Sequence, residues 1–194
     1  MTHSHAMSYW KMIFEKGKYY HLYNRSNNQE KVFLTENNYV FFLEKIRRHL
    51  LPHCTIISYC LMPTHFHLLI RIETDGSLLL SNQIAIMLRS YTRAINKHYS
   101  RHGSLFQQNT KCKLIDDESY LITLINYIHQ NPLRAKLIQN MDGWKYSSYS
   151  EVINHNNSSI VDNYFLLHYF KTVEEFKKYS EEMISSIKKE YWVS

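Results

Sequence analysis

The chain has 194 residues, 44% of them hydrophobic and 14% aromatic, which is enough to bury one real core and too few for two full domains. A formal charge of +6 and a pI near 9.1 favour an acidic partner such as nucleic acid; no apolar run reaches membrane-spanning length and no signal-peptide core opens the chain, so no membrane partner is expected. Cys54, Cys60 and Cys112 form no CxxC pair and are odd in number, which argues against a disulfide framework and for a reducing, cytoplasmic setting.

Residues 1–16 read as a loosely structured lead whose His3-Ser4-His5 lacks a flanking strand pattern. Lys18 to Asn24 alternates aromatic and polar residues, the mark of a strand. Thr35 is placed to cap a helix from Glu36 to about Leu51, with Val40, Leu43, Ile46 and Leu50 as its apolar stripe. Cys54 to Leu61 and His65 to Ile72 read as two further strands joined by the tight connection Met62-Pro63-Thr64. A helix from Leu80 to about Tyr99 follows, then a short strand over Lys111 to Ile115. Asp116 or Asp117 opens a third helix, which Pro132 is expected to end near Asn131 because the residue before proline is pushed away from the helical region. The order predicts an α+β fold: an antiparallel sheet with helices on one face in the split ferredoxin-like βαββαβ pattern, with an added helix after it. Residues 17–150 make this domain, and residues 151–194 a C-terminal extension: a polar break at Asn154 to Ser159 and an amphipathic helix from Thr172 to about Tyr191.

Two short runs carry candidate chemistry. A strand sends alternate side chains to opposite faces, so His65 and His67 share one face while Phe66 buries on the other. On the third helix Tyr127 and Asn131 lie four apart and point the same way. Two imidazoles, an amide oxygen and a phenol are what a metal-assisted tyrosine attack on a phosphodiester requires. Imidazole and oxygen ligands suit a divalent Mn2+ and tolerate Mg2+, whereas a structural zinc site would call for cysteine. Taken singly, each feature has a plainer explanation: a half-exposed strand edge, a core tyrosine, an asparagine that stops a helix. Gln130 is the alternative ligand to Asn131, although it points about 100° around the helix. His21 on the first strand could orient a ligand by hydrogen bond. His98 and His102 fit a solvated helix end, and His129 a packing or DNA contact.

Arg89, Arg93, Lys97 and Arg101 recur every four positions, with Lys111 and Lys113 beyond, and no acidic residue lies between Ser81 and Ile115. A solvated helix face usually carries both signs, so this stripe is expected to track phosphates. Tyr91, Tyr99 and Phe106 could offer stacking platforms to unpaired bases, with core packing the plainer fate of Phe106.

The blocks Tyr20-His21-Leu22-Tyr23-Asn24-Arg25, Tyr59 to Leu69 around His65-Phe66-His67, Leu105-Phe106-Gln107, Asp117 to Leu121, Tyr127 to Ala135 and Trp144 to Tyr149 occur in one order from about Lys18 to Ser150. In that order they closely resemble the HUH single-tyrosine transposases, in particular the branch of REP-associated tyrosine transposases of bacteria. The resemblance implies Tyr127 as nucleophile, His65, His67 and Asn131 as ligands of a divalent ion, and single-stranded or hairpin DNA as partner. It also implies cleavage and strand transfer through a 5′-phosphotyrosine, with Arg25 and Arg134 reaching phosphates beside the stripe. Monomer and homodimer both stay open, as relatives of each kind exist. A hairpin DNA- or RNA-binding regulator without catalysis, and a phosphodiesterase that uses water, are the alternatives. Many relatives have glycine where this chain has Ser26, so strain is expected there if that position needs a positive φ.

Overall fold

The computed structural model describes residues 13–75, 77–154, 160–182 and 184; His3-Ser4-His5, the His155 to Ser159 part of the polar break and residues 185–194 lie outside them. Four strands, β1 (Tyr19–Arg25), β2 (Cys54–Met62), β3 (His65–Ile72) and β4 (Lys111–Ile115), form one antiparallel sheet in the order β2-β3-β1-β4. Helices α1 (Glu36–His49) and α2 (Ser77–His98) are the two crossovers of the split pattern, and α3 (Glu118–Arg134) follows β4. The observed order is the βαββαβ arrangement with the added tyrosine-bearing helix.

Alternation along the strands divides the sheet into two faces. Tyr20, Leu22, Phe66, Leu68 and Ile70 point one way and are buried. There Phe66 lies 5.3 Å from Phe42 of α1 and 5.8 Å from Phe106, and Phe42 lies 4.9 Å from Tyr91 of α2. This aromatic layer is the main core. It also corrects two expectations. The buried stripe of α1 is Tyr39, Phe42 and Ile46, continued by Leu50 just past its end, while Val40 is 51% exposed; the large rings, not the aliphatic residues, set the helix's rotation. Tyr91 is fully buried with its hydroxyl donating to the Val32 carbonyl at 3.0 Å, so neither it nor the buried Phe106 can stack bases.

Asp117 caps α3, its carboxylate accepting from the Ser119 and Tyr120 backbone N–H groups at 2.9 and 3.3 Å. The helix runs through Pro132 to Arg134 rather than stopping at Asn131. Proline removes one backbone donor and leaves the Ile128 carbonyl short of a partner. The Asn131 amide folds back to supply it, 3.4 Å from the Ile128 oxygen and 2.9 Å from that of Tyr127.

Beyond α3, the helices α4 (Ser148–Ile153), α5 (Asn163–Phe170) and α6 (Val173–Glu181) complete the fold of the described residues. Backbone pairing of Ser147 with Cys60 and of Val161 with Ile56 covers the outer edge of β2, which would otherwise present unpaired N–H and C=O groups. Thr172 caps α6 as expected, but the helix ends at Glu181. There the chain is caught by α3: Asn126 donates to the carbonyls of Tyr179 and Glu182, Gln130 to those of Ser180 and Glu182, and Arg134 to that of Ile184. Those three side chains recur every four residues and form one polar edge of the helix. In the lead, Phe14 is buried edge-on against Tyr20. Ser26 has φ −64° and carries no strain; positive φ falls on Asn28 and Gln29 instead.

Candidate active site

The second face of the sheet is read directly from the register. Met62, His65 and Arg25 form one row across β2, β3 and β1; Cys60, His67, Tyr23 and Lys111 form the next; Ser58, Leu69, His21 and Lys113 form the third. A bulge between Ile56 and Ser58 shifts the pairing by one residue. Without it Ser58 and Cys60 would face the aromatic core, so the bulge re-aims β2 toward the histidines.

His67 sits at the centre of this face and is fully buried. Its Nδ1 lies 3.0 Å from Nε2 of His21, and its Nε2 is buried with no hydrogen-bond partner among the described residues. The His65 ring is 5.2 Å from it, edge to face, with His65 Nδ1 3.0 Å from the Thr64 hydroxyl. Burial pushes the pKa of His67 well down, helped by His21 and His65. The same cause lowers His65 to about 4, with Arg25 adding to it, and His21 to about 3, with Lys113 adding. All three imidazoles are therefore neutral at pH 7, the form that offers a nitrogen lone pair.

Tyr127 reaches this face from α3. Its ring meets that of His67 edge to face at 5.9 Å, and the Arg134 guanidinium lies 5.8 Å from its centre. That distance is within cation–π reach, which draws a positive charge toward the phenol. Asn131 is one helical turn on. Because its amide nitrogen is turned onto the helix backbone, Oδ1 is the atom left for a ligand. Gln130 is not available for that role: its amide donates to two carbonyls of the C-terminal segment and its oxygen accepts from the Ile184 N–H.

Among the described residues no group of three or more His, Cys, Asp or Glu side chains is gathered to hold a metal ion. Two histidines with an amide oxygen, completed by phosphate oxygens and water, fit a hard divalent ion bound together with a substrate. The orphaned Nε2 of His67 supports that fit.

The basic residues divide into two groups. Arg25, Lys111 and Lys113 share the histidine face by register, and Arg134 stands at Tyr127. Arg89, Arg93 and Lys97 are spread along α2, which packs on the aromatic face, on the other side of the sheet. Arg101 is paired with Glu30 and donates to Asn96 at 3.1 Å, so an acid from another segment occupies the end of the stripe. His129 is a packing residue, buried with Nε2 2.6 Å from the Ser148 hydroxyl and 3.2 Å from that of Ser58. His98 and His102 are exposed. Tyr23 is a site residue that its sequence context does not mark. Its parity with His21 is the signal: its ring lies 4.7 Å from His21 and 6.1 Å from His67, and it walls the site on the β4 side.

Comparison with known proteins agrees with the fold and its motifs. The profile of the family described as IS200-like transposases matches residues 15–131, more than half of the chain. A Haemophilus influenzae protein named as a REP-associated tyrosine transposase is 24% identical over 155 residues, covering 74% of this chain and 86% of that protein. The solved structure of a REP-associated tyrosine transposase bound to a REP hairpin superposes with a TM-score of 0.62 at 15% identity, covering 79% of this chain and 90% of the other. No helix among the described residues is long and apolar enough to cross a membrane.

Proposed function

The chain belongs to the family of IS200-like transposases, and from that premise we propose that it cleaves and rejoins single-stranded DNA next to a hairpin, with Tyr127 as the nucleophile. The observation that carries this reading is the meeting of Tyr127 with a buried imidazole whose Nε2 has no partner among the described residues. In the proposed reaction Tyr127 Oη gives up its proton to solvent and attacks the scissile phosphorus. The bond to the 3′ oxygen breaks, and the 3′ oxygen leaves as a hydroxyl after taking up a proton. The 5′ phosphate stays on Tyr127. Because one phosphodiester replaces another, a second 3′ hydroxyl can reverse the step and join a new strand without ATP.

His65, His67 and Asn131 are the residues that would hold a divalent ion, Mg2+ or Mn2+; when bound it neutralises charge on the scissile phosphate and orients it for attack. Arg134 steadies the phenol and the phosphate that joins it. Arg25 beside His65, and Lys111 and Lys113 beside Tyr23 and His21, take the neighbouring phosphates along the same face. Arg89, Arg93 and Lys97, on the far side of the sheet, are too remote for the scissile linkage and take phosphates of the hairpin stem.

The test is Tyr127→Phe, which removes one oxygen and little else. With a hairpin-flanked single-stranded oligonucleotide and Mn2+, the native chain is expected to yield a covalent adduct that maps to Tyr127, with a free 3′ hydroxyl on the released strand. Tyr127→Phe is expected to bind and form none. Cleavage by the phenylalanine variant would favour attack by water, and an adduct on another tyrosine would displace Tyr127. Hairpin binding with no cleavage in any divalent ion would leave a regulator.

A further inference from the structure

We propose that His21 is a positioning residue for this site: its Nε2 accepts a hydrogen bond from His67 Nδ1–H and so keeps the lone pair of His67 on Nε2, where a divalent ion can take it. The proposal rests on the reading of His67 as a ligand and assigns how that ligand is prepared.

The geometry comes from the sheet. His21 is paired with Leu69 and His67 with Tyr23, so the two histidines are diagonal neighbours on adjacent strands. Their rings are 14° from parallel with centroids 5.2 Å apart, and the facing nitrogens are 3.0 Å apart. Tyr23 packs against both rings and limits their rotation. Between two neutral imidazoles only one proton can occupy that contact, and its owner decides the rest. If His21 donates, the proton of His67 sits on Nε2 and blocks ligation. If His67 donates, Nε2 is left with a lone pair.

The reading of His67 as a ligand decides between the two; burial alone does not, because the remaining N–H is buried either way, on His67 Nε2 or on His21 Nδ1. No acceptor among the described residues faces His67 Nε2, so an N–H there would be a stranded donor at the one atom a cation needs. A lone pair there is equally unsatisfied in the protein alone but is satisfied at once by a cation. Metal-bound histidines generally hand their second N–H to a partner that fixes the tautomer, most often a carboxylate or a carbonyl. A carboxylate would place a negative charge beside the scissile phosphate. An imidazole, which carries no negative charge, fixes the tautomer without doing so.

The experiment uses the full chain and two readouts that need no catalysis: histidine ring 15N shifts of the metal-free protein, and Mn2+ affinity from the EPR signal of free ion. Wild-type His67 is expected to carry its proton on Nδ1. His21→Phe fills the space without an acceptor and is expected to shift that tautomer and weaken Mn2+ binding ~10–100-fold. His21→Gln, whose Oε1 reaches the position of Nε2, is expected to recover most of the affinity. A proton on Nε2 of wild-type His67 overturns the proposal whatever the variants do. So does a folded His21→Phe protein with native affinity. His67→Phe separates the two failures. If it loses Mn2+ while His21→Phe does not, only the positioning role falls; if it keeps Mn2+, His67 is not a ligand and both readings fall.

Discussion

Alternate residues of β1 and β3 supply two faces of one sheet, and the two faces meet the demands of burial in different ways. Leu22, Phe66, Leu68 and Ile70 are buried, Phe66 against Phe42 of α1 and Phe106 of the segment before β4, and their side chains have no polar atom that needs a partner. His21 and His67 are buried just as completely, but His67 Nε2 has no partner among the described residues. Each side chain of the first face contributes ~1.5–3 kcal/mol by leaving water. Each stranded polar atom on the second costs ~1–3 kcal/mol. The strands therefore hold a destabilised face in place by means of a stabilised one. A buried residue on such a sheet cannot be read as core until its parity is known.

The largest effect is expected from damage to the supporting face. Phe66 is fully buried between Phe42 and Phe106, so Phe66→Ala should cost ~3–5 kcal/mol of stability. Urea unfolding measures this directly. The denaturation midpoint should fall far, and cleavage should be lost only where the chain unfolds. A loss below ~1 kcal/mol would mean that the aromatic layer does not carry the sheet.

Acid should act on the other face. Burial holds His21 at about 3 and His65 at about 4, against an ordinary histidine value near 6.5, and pushes His67 down as well. Between those values the unfolded chain binds protons that the folded face refuses. Stability is then fully present above pH ~6.5 and falls as pH falls through that window, by up to ~1.4 kcal/mol per pH unit for each histidine. Phe66→Ala should lower the whole stability curve and leave its acid slope unchanged. Replacing His21 with Phe and His67 with Leu together should flatten that slope, leaving a remainder from His65 and from His129, which burial also holds at about 3. An unaltered slope in the double variant would move the acid sensitivity away from this site.

How much of the fold and site is legible in the chain depends on whether the cause is local. The bounds of β3 and β4 and the opposite facing of Phe66 and its flanking histidines follow from strand alternation alone. The cap at Asp117 is likewise a short-range signal. Spacing misplaces the α1 stripe because Tyr39 and Phe42 compete with Val40 and Leu43 for the same core, and only the partner rings decide. Pro132 does end helices in general, but Asn131 repairs the local defect through its side chain. The bulge in β2 that brings Ser58 and Cys60 to the histidine face has no mark in the sequence. Nor has the capture of Tyr179, Ser180, Glu182 and Ile184 by Asn126, Gln130 and Arg134, since such contacts join segments about fifty residues apart.

The smallest effects should separate the two basic surfaces. Arg93 lies on α2, behind the aromatic layer, whereas Arg25 faces His65 across one strand pair. For each phosphate no longer held, the slope of log affinity against log salt should fall by ~0.7 for a single strand and ~0.9 for a duplex. Arg93→Ala should therefore weaken hairpin binding to all sequences alike with the duplex value. Its cost should appear as affinity and be regained at high DNA concentration. Arg25→Ala should show the single-strand value, and it should also slow cleavage at saturating DNA, because a phosphate next to the scissile one would lose its anchor. Salt titrations of binding and single-turnover cleavage of the same hairpin give both quantities. If Arg93→Ala keeps the native salt slope, the α2 stripe is only a solvated helix face. If it slows saturated cleavage as much as Arg25→Ala does, the two faces act on the same phosphates and the division between a supporting and a reacting side of the sheet fails.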